Sequence, residues 1–429
     1  MTRKSGSRAR RTIGALAALS AVAAAAALGG TASAGGTRAT AIKLNVLAQA
    51  GGPGVALSKL AAVYSKQHGV SVKVTLLPYD SVRERAIADF SSGKAGYDVV
   101  GFDYLWMKEY ARAGFITSLD GYTKKAGSQL AMNDFYKPYI AAGTWDKKLY
   151  GLPWLGAVYM LYYRTDLLKK AGIQVPRTWD EYAAAAAKLK RGGVYGSTLI
   201  GKRDDPLVDE FWSIAWSYGA EIYRGSKPTV DTPQALKALT VWSKIARSAP
   251  PDALAADWPV AAATFAQGKA ALMLNFSDTS ETILGADSKV AKTVGFAPIP
   301  IGPTGKRTPN LGGWGIGVNA KSKNGQAAFD FIAWATSSAE QKAGLASGGS
   351  ATRVSVVSDP ALRTKYPYFK AVAASFKAAV PFPQATNWVD WEAAMAPPIS
   401  EALGGQRSLA SGLKEAQKRL EPKVAKEFG

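Results

Sequence analysis

The chain has 429 residues, with 53 Lys+Arg against 32 Asp+Glu, one His and no Cys. At roughly 100–200 residues per domain, this length suggests two or three domains with sizeable cores, and 47% hydrophobic with 20% charged residues is a globular composition. The lack of Cys excludes disulfides, thiolate metal sites, Fe–S clusters, a cysteine nucleophile and a lipidated-Cys anchor, while the single His excludes multi-His metal centres.

The first segment reads as an export signal. Arg3, Lys4, Arg8, Arg10 and Arg11 make a basic start without acids. Ile13 to Leu28 is apolar and Ala-rich, and Ala32-Ser33-Ala34 has the small-residue pattern of a cleavage site. Residues 1–34 are therefore expected to be a signal peptide cleaved near Ala34. The Arg10-Arg11 pair leaves both the general secretory and the twin-arginine route open. Beyond this leader, 48 Lys+Arg face 32 Asp+Glu, a balance of +16. The basic residues are scattered beside acids, in runs such as Lys147-Lys148 and Lys306-Arg307. A solvated surface is expected rather than a nucleic-acid interface.

Ile42, Leu44 and Val46 alternate with Lys43 and Asn45, which predicts a strand. Gly51-Gly52-Pro53-Gly54 reads as a loop, and apolar residues at helical spacing predict a helix over 55–67. Val70 to Leu76 is the next strand, so strand, helix and strand form a parallel unit. A third strand is expected over 97–102 and a helix over 105–113. Strand follows at 152–163, then a helix from Thr165-Asp166 to Gly172. Thr178-Trp179-Asp180-Glu181 has the form of a capping box before an Ala-rich helix. A strand is expected over 194–200, a helix with an aromatic face over 205–218, and a helix from Thr232-Pro233 to about 248. Helix 260–267 leads into strand 270–276. The Pro/Gly-rich segment 297–309 is a candidate crossing between lobes. Strand 311–318 and helix 327–346 follow. The tail is helical, with breaks expected at Pro381, Pro383 and Pro397-Pro398. This alternation predicts a two-lobed α/β architecture.

Aromatic residues stand out, with 12 Trp, 18 Tyr and 14 Phe, many beside Gly, Pro or Asp. Sugar rings stack their C–H faces on such plates while their hydroxyls need acid, amide and Arg partners. Trp314, inside Gly312-Gly313-Trp314-Gly315, is the foremost candidate, because the glycines allow close backbone approach. Asp103, before Tyr104, and Gln49 end predicted strands, where α/β sheets place ligands. Arg353 follows Gly348-Gly349 in a predicted loop, and Trp154 sits beside Pro153. A Ser-His-Asp site would need His68, at a solvated helix end. No spacing singles out a carboxylate pair, but 32 acids keep a secreted glycoside-active enzyme using two of them open as the alternative. The glycine clusters do not fit phosphate loops, and no cofactor or metal is expected.

Four stretches carry a family resemblance. They are Tyr97-Asp98-Val99-Val100 with Asp103 through Leu119-Asp120; Tyr150-Gly151-Leu152-Pro153-Trp154 with Tyr162 to Leu167 and Pro176 to Glu181; Phe265 to Met273; and Leu311-Gly312-Gly313-Trp314-Gly315-Ile316 with Ser322-Lys323-Asn324. In this order the chain resembles the extracellular solute-binding proteins of ABC importers, in the large carbohydrate-binding group. The resemblance implies a periplasmic-binding-protein-like fold with a ligand cleft between two lobes and a helical C-terminal tail. It implies an N-terminal lobe of residues 35–151 and 311–346 and a C-terminal lobe of 152–310 and 347–429. It further implies a non-enzymatic monomer that captures a mono- or oligosaccharide or polyol by lobe closure and delivers it to the importer's membrane subunits, with no nucleic-acid partner. Gln49, Asp103, Gly313, Trp314 and Arg353 are the residues the resemblance implies at the ligand, and Tyr104, Trp154, Asn275 and Phe276 complete the expected ligand-binding set. Two departures stand out: Phe276 where members often have Trp, and Gly156-Ala157 where an acid often follows Pro-Trp.

Overall fold

The protein is described from residue 42 to residue 428 in a computed structural model. The expected signal peptide and its Ala34 cleavage site lie outside these residues. Eight strands form one hydrogen-bonded sheet. They are β1 (Lys43–Gln49), β2 (Ser71–Leu77), β3 (Val99–Asp103), β4 (Leu152–Arg164), β5 (Tyr195–Ser197), β6 (Ala270–Phe276), β7 (Val294–Pro298) and β8 (Leu311–Val318). Their order is β2-β1-β3-β8-β4-β6-β5, with β7 also paired to β4. β1 runs parallel to β2 and β3, as the strand–helix–strand opening requires. β8 is antiparallel to both β3 and β4.

β4 joins the two halves of the sheet. Its first half, residues 152–158, pairs with β8, and its second half pairs with β6 and β7. The sequence LPWLGAVYMLYYR is apolar on both faces, and its first eleven residues are all buried, which suits a strand covered from both sides. Separate cores lie on either side. One gathers Leu47, Val100, Trp106, Ile316 and Phe331. The other gathers Trp179, Phe211, Trp212, Trp242 and Trp391. A third cluster, with Tyr139, Val158, Met160, Phe265 and Phe376, lies along β4 between them. Burying each such side chain contributes about 1.5–3 kcal/mol.

The helices that shape the site are α1 (Gly52–His68), α2 (Tyr79–Ser91), α3 (Tyr104–Arg112), α4 (Asp205–Ala215), α5 (Trp258–Ala266), α6 (Trp388–Leu403) and α7 (Leu409–Phe428). α1 corrects the loop expected at 51–54. The helix starts at Gly52 with Pro53 in its first turn, where a missing N–H costs nothing. The strand expected at 194–200 shortens to β5, and the helix expected at 327–346 divides into Gly325–Ala335 and Ser338–Gly344. α6 corrects the break expected at Pro397-Pro398, because it runs through both prolines. Its buried face of Trp388, Trp391, Met395 and Ile399 holds it by packing, which outweighs the intrinsic helix cost. α7 comes so close that a Cβ on Gly412 would lie 2.8 Å from the Pro398 carbonyl oxygen. The capping box is shifted by one residue. Thr178 Oγ1 accepts from Glu181 N–H at 3.2 Å, but Glu181 reaches back to the N–H of Arg177 at 2.7 Å.

Candidate ligand-binding cleft

A cavity of about 480 Å³ opens where the two halves of the sheet meet, within the ~300–1,000 Å³ usual for small-molecule sites. The C-terminal ends of β1 and β3 bring Gln49 and Asp103 to its wall, followed by the first residues of α1 and α3. From the other side come Asp205 and Asp209 on α4, Trp258 at the start of α5, and Phe276 at the end of β6. Gly312, Gly313 and Trp314 of β8 form the wall between them, and Phe382 and Gln384 close it from the tail.

Acids dominate its polar chemistry. Tyr79 opens α2, and its hydroxyl stands 2.9 Å from Asp205 Oδ2 and 3.4 Å from Asp103 Oδ2, bridging the two acids. The other oxygen of Asp103 caps α3 by accepting from Leu105 N–H at 3.0 Å. α4 is buried on every side and carries three acids. Glu210 is held structurally by Trp242 Nε1 at 2.8 Å and Ile200 N–H at 3.1 Å. Asp209 accepts from Asn310 Nδ2. Behind Asp205 lies Glu392 of α6, also buried. Desolvation, then the Asp205 charge, pushes the Asp103 carboxyl up to about 8. Desolvation pushes Asp205 up to about 6, and raises Asp209 and Glu392 well above the usual carboxylate range with the charge of Asp205 adding to it. Among the described residues, no Lys, Arg or His lines this cavity.

Aromatic rings supply the plates. Tyr79 meets Trp314 edge-on at 5.9 Å and Trp258 at 5.9 Å, and Trp258 lies 6.2 Å from Phe276. Gly312 is what admits Phe276, because a Cβ there would fall 2.6 Å from the ring's Cζ. Gly313 adopts φ +129°, and a Cβ on it would strike the Leu155 carbonyl.

Six of the nine expected residues line the cavity: Gln49, Asp103, Tyr104, Phe276, Gly313 and Trp314. Trp154, Asn275 and Arg353 do not. The β4–β8 register shifts between Trp314 and Gly315, which leaves Trp154 as the extra residue of a bulge. Its ring turns inward against Gly101 and backs Trp314 edge-on at 6.4 Å. Asn275 faces away from Phe276 by strand alternation. Its Nδ2 donates to the Trp258 carbonyl at 3.0 Å, which anchors α5 instead. Arg353 is 2% exposed, not a surface loop charge. It lies over the Phe135 ring at 3.8 Å and donates to the carbonyls of Thr336, Ala131 and Leu130. His68 stacks on Tyr64 at 4.2 Å, away from the cleft.

Tyr79, Asp205, Asp209, Asn310 and Phe382 were missed by sequence reasoning. Two acids one helical turn apart on α4, just after Asp204, were the available signal, masked by the aromatic residues around them.

Residues 17–342 match the family described as bacterial extracellular solute-binding protein. The chain belongs to that family. Its members are binding proteins of ABC transporters, not enzymes. A probable amino-acid ABC transporter periplasmic-binding protein of Sinorhizobium fredii is 29% identical over 345 residues, 78% of each chain. A mannitol-binding protein of Pseudomonas aeruginosa is 27% identical over 338 residues, 75% of this chain and 76% of its own. A solute-binding protein of Agrobacterium radiobacter K84, solved in complex with ribitol, matches at TM-score 0.82 and 28% identity, over 89% of this chain and 98% of that one. The two-lobed fold expected from the sequence is the fold of this structure. No helix among the described residues is long and apolar enough to cross a membrane.

Proposed function

We propose that this protein is the exported receptor of an ABC importer. It captures a small sugar or polyol between two closing lobes and passes it to the importer's membrane subunits. The observation that carries this reading is the cleft itself, in which aromatic plates alternate with carboxylates and amides between the halves of the sheet. Relatives named for mannitol and ribitol support it. The relative named for amino acids is a poorer guide to the cargo. An amino acid brings a carboxylate, and no cationic side chain among the described residues lines the cleft to meet one. The lobes in this reading comprise residues 35–151 with 311–346, and 152–310 with 347–429, acting as a monomer after removal of the leader near Ala34.

Thermal-shift measurements against pentitols, hexitols, mono- and disaccharides and free amino acids test this. A ligand at 100 times its Kd stabilises by about 2.7 kcal/mol, which raises Tm by several degrees. One carbohydrate class is expected to do so and to be recovered intact. A shift with amino acids alone, or conversion of the sugar, would refute the proposal.

A further inference from the structure

Two acids meet behind the wall of the cleft. Asp205 opens α4, lines the cavity and is 5% exposed, while Glu392 of α6 is 3% exposed and does not line it. The two carboxyls stand within hydrogen-bond reach of each other. On the cleft side, Asp205 Oδ2 accepts from the Tyr79 hydroxyl at 2.9 Å. Its other oxygen, Oδ1, and Glu392 Oε1 are buried, and neither receives an N–H or O–H from the groups around them. The charged neighbours do not supply one. Asp204 and Asp209 flank the pair, and Asp103 faces Asp205 across the Tyr79 hydroxyl. Lys202, the cation that acts on Asp205, turns to Asp80 at 3.9 Å. Arg203 donates to Ser400 farther along α6 at 3.1 Å.

An ionised carboxylate only accepts hydrogen bonds, so two that face each other out of water do not both ionise. One proton between them replaces repulsion with a charge-assisted bond. Burial pushes Asp205 up to about 6; burial and then the Asp205 charge raise Glu392 well above the usual carboxylate range. At neutral pH the proton therefore sits on Glu392 and the charge on Asp205. We propose that Glu392 is a positioning residue of the binding site, which shares a single proton with Asp205 and thereby aims the other Asp205 oxygen at the ligand. With Glu392 on one oxygen and Tyr79 on the other, the Asp205 carboxylate cannot turn, and Oδ2 keeps a lone pair for a sugar or polyol hydroxyl. This rests on the carbohydrate reading above and extends the site to a helix that the cargo does not touch.

Two measurements test it. In the ligand-free protein labelled with 13C at the Glu side-chain carboxyls, the Glu392 resonance is the one missing from Glu392→Gln. It is expected at the position of a protonated acid at pH 7; titration near the ordinary 4.5 overturns the inference. Calorimetry with mannitol, ribitol and glucose then compares variants at pH 7. Gln carries an N–H that can replace the proton, and Met fills similar space without a donor. For any probe that binds wild type, Glu392→Gln is expected to stay within about threefold in Kd and Glu392→Met to weaken it at least about tenfold. Equal losses in both variants would mean a packing role, and wild-type affinity in Glu392→Met would mean no role; either overturns the inference and leaves the carbohydrate reading intact. If neither these probes nor the wider sugar and polyol panel bind, the carbohydrate reading falls and the positioning role falls with it.

Discussion

Asp103 uses one carboxylate for several tasks. It caps α3, faces the Tyr79 hydroxyl and lines the cleft. Its folded-state pKa of about 8 lies well above the ordinary 3.8. The neutral form is therefore the one the fold prefers. The associated stability is complete below about pH 3.8 and is lost as the pH rises through about 8. Asn is permanently neutral and can still cap the helix. In the ligand-free protein, Asp103→Asn should raise Tm relative to wild type by more at pH 8.5 than at pH 5, by at least ~2 °C. Differential scanning at the two pH values measures it; an equal difference at both would show that Asp103 titrates normally. The place of Asp103 on the cleft wall was legible because it ends a strand, where α/β sheets open their clefts. Asp205 was not, because its burial depends on α4 being enclosed by Tyr79 and by α6, which begins 183 residues later. Arg353 misled for the same reason in reverse. Glycines beside it suggested a solvated loop, while the carbonyls that hold it belong to residues 130, 131 and 336.

At the level of elements, β8 forms over the expected residues 311–318 in spite of four glycines, because it is paired on both edges and buries Leu311, Trp314, Ile316 and Val318. Its two adjacent glycines have different reasons to exist. The atom that a Cβ on Gly312 meets is the tip of the Phe276 ring, which can swing aside. The atom that a Cβ on Gly313 meets is backbone, at a φ that L-residues avoid. Gly312→Ala should therefore leave Tm within a few degrees while weakening sugar binding severalfold, as a wall of the cleft is displaced. Gly313→Ala should cost about 1–3 kcal/mol of stability. Chemical denaturation and calorimetry on both variants separate the two cases, and the reverse pattern would contradict the geometry. The bulge at Trp154 could not be read from sequence. It arises from how β4 meets β8, and one extra residue was enough to turn an expected sugar plate into a support for Trp314. The unbroken α6 was equally hidden, since proline predicts a break unless the packing of the whole face is known.

For the whole molecule, the alternation of strands and helices was enough to predict two α/β lobes, and sequence motifs were enough to point to the family. What the alternation did not reveal is how the halves are fused. β4 is 13 residues long and donates its backbone to both, and the third cluster draws Tyr139 from one side and Phe265 and Phe376 from the other into a shared core. Neither half can lose its sheet without exposing part of the other's, so melting is cooperative across the molecule. A calorimetric scan should show a single endotherm whose van't Hoff and calorimetric enthalpies agree, and two resolved peaks would show that the halves unfold independently. A strand shared in this way makes each lobe a chaperone of the other: during refolding, neither core is complete until β4 has been claimed from both sides.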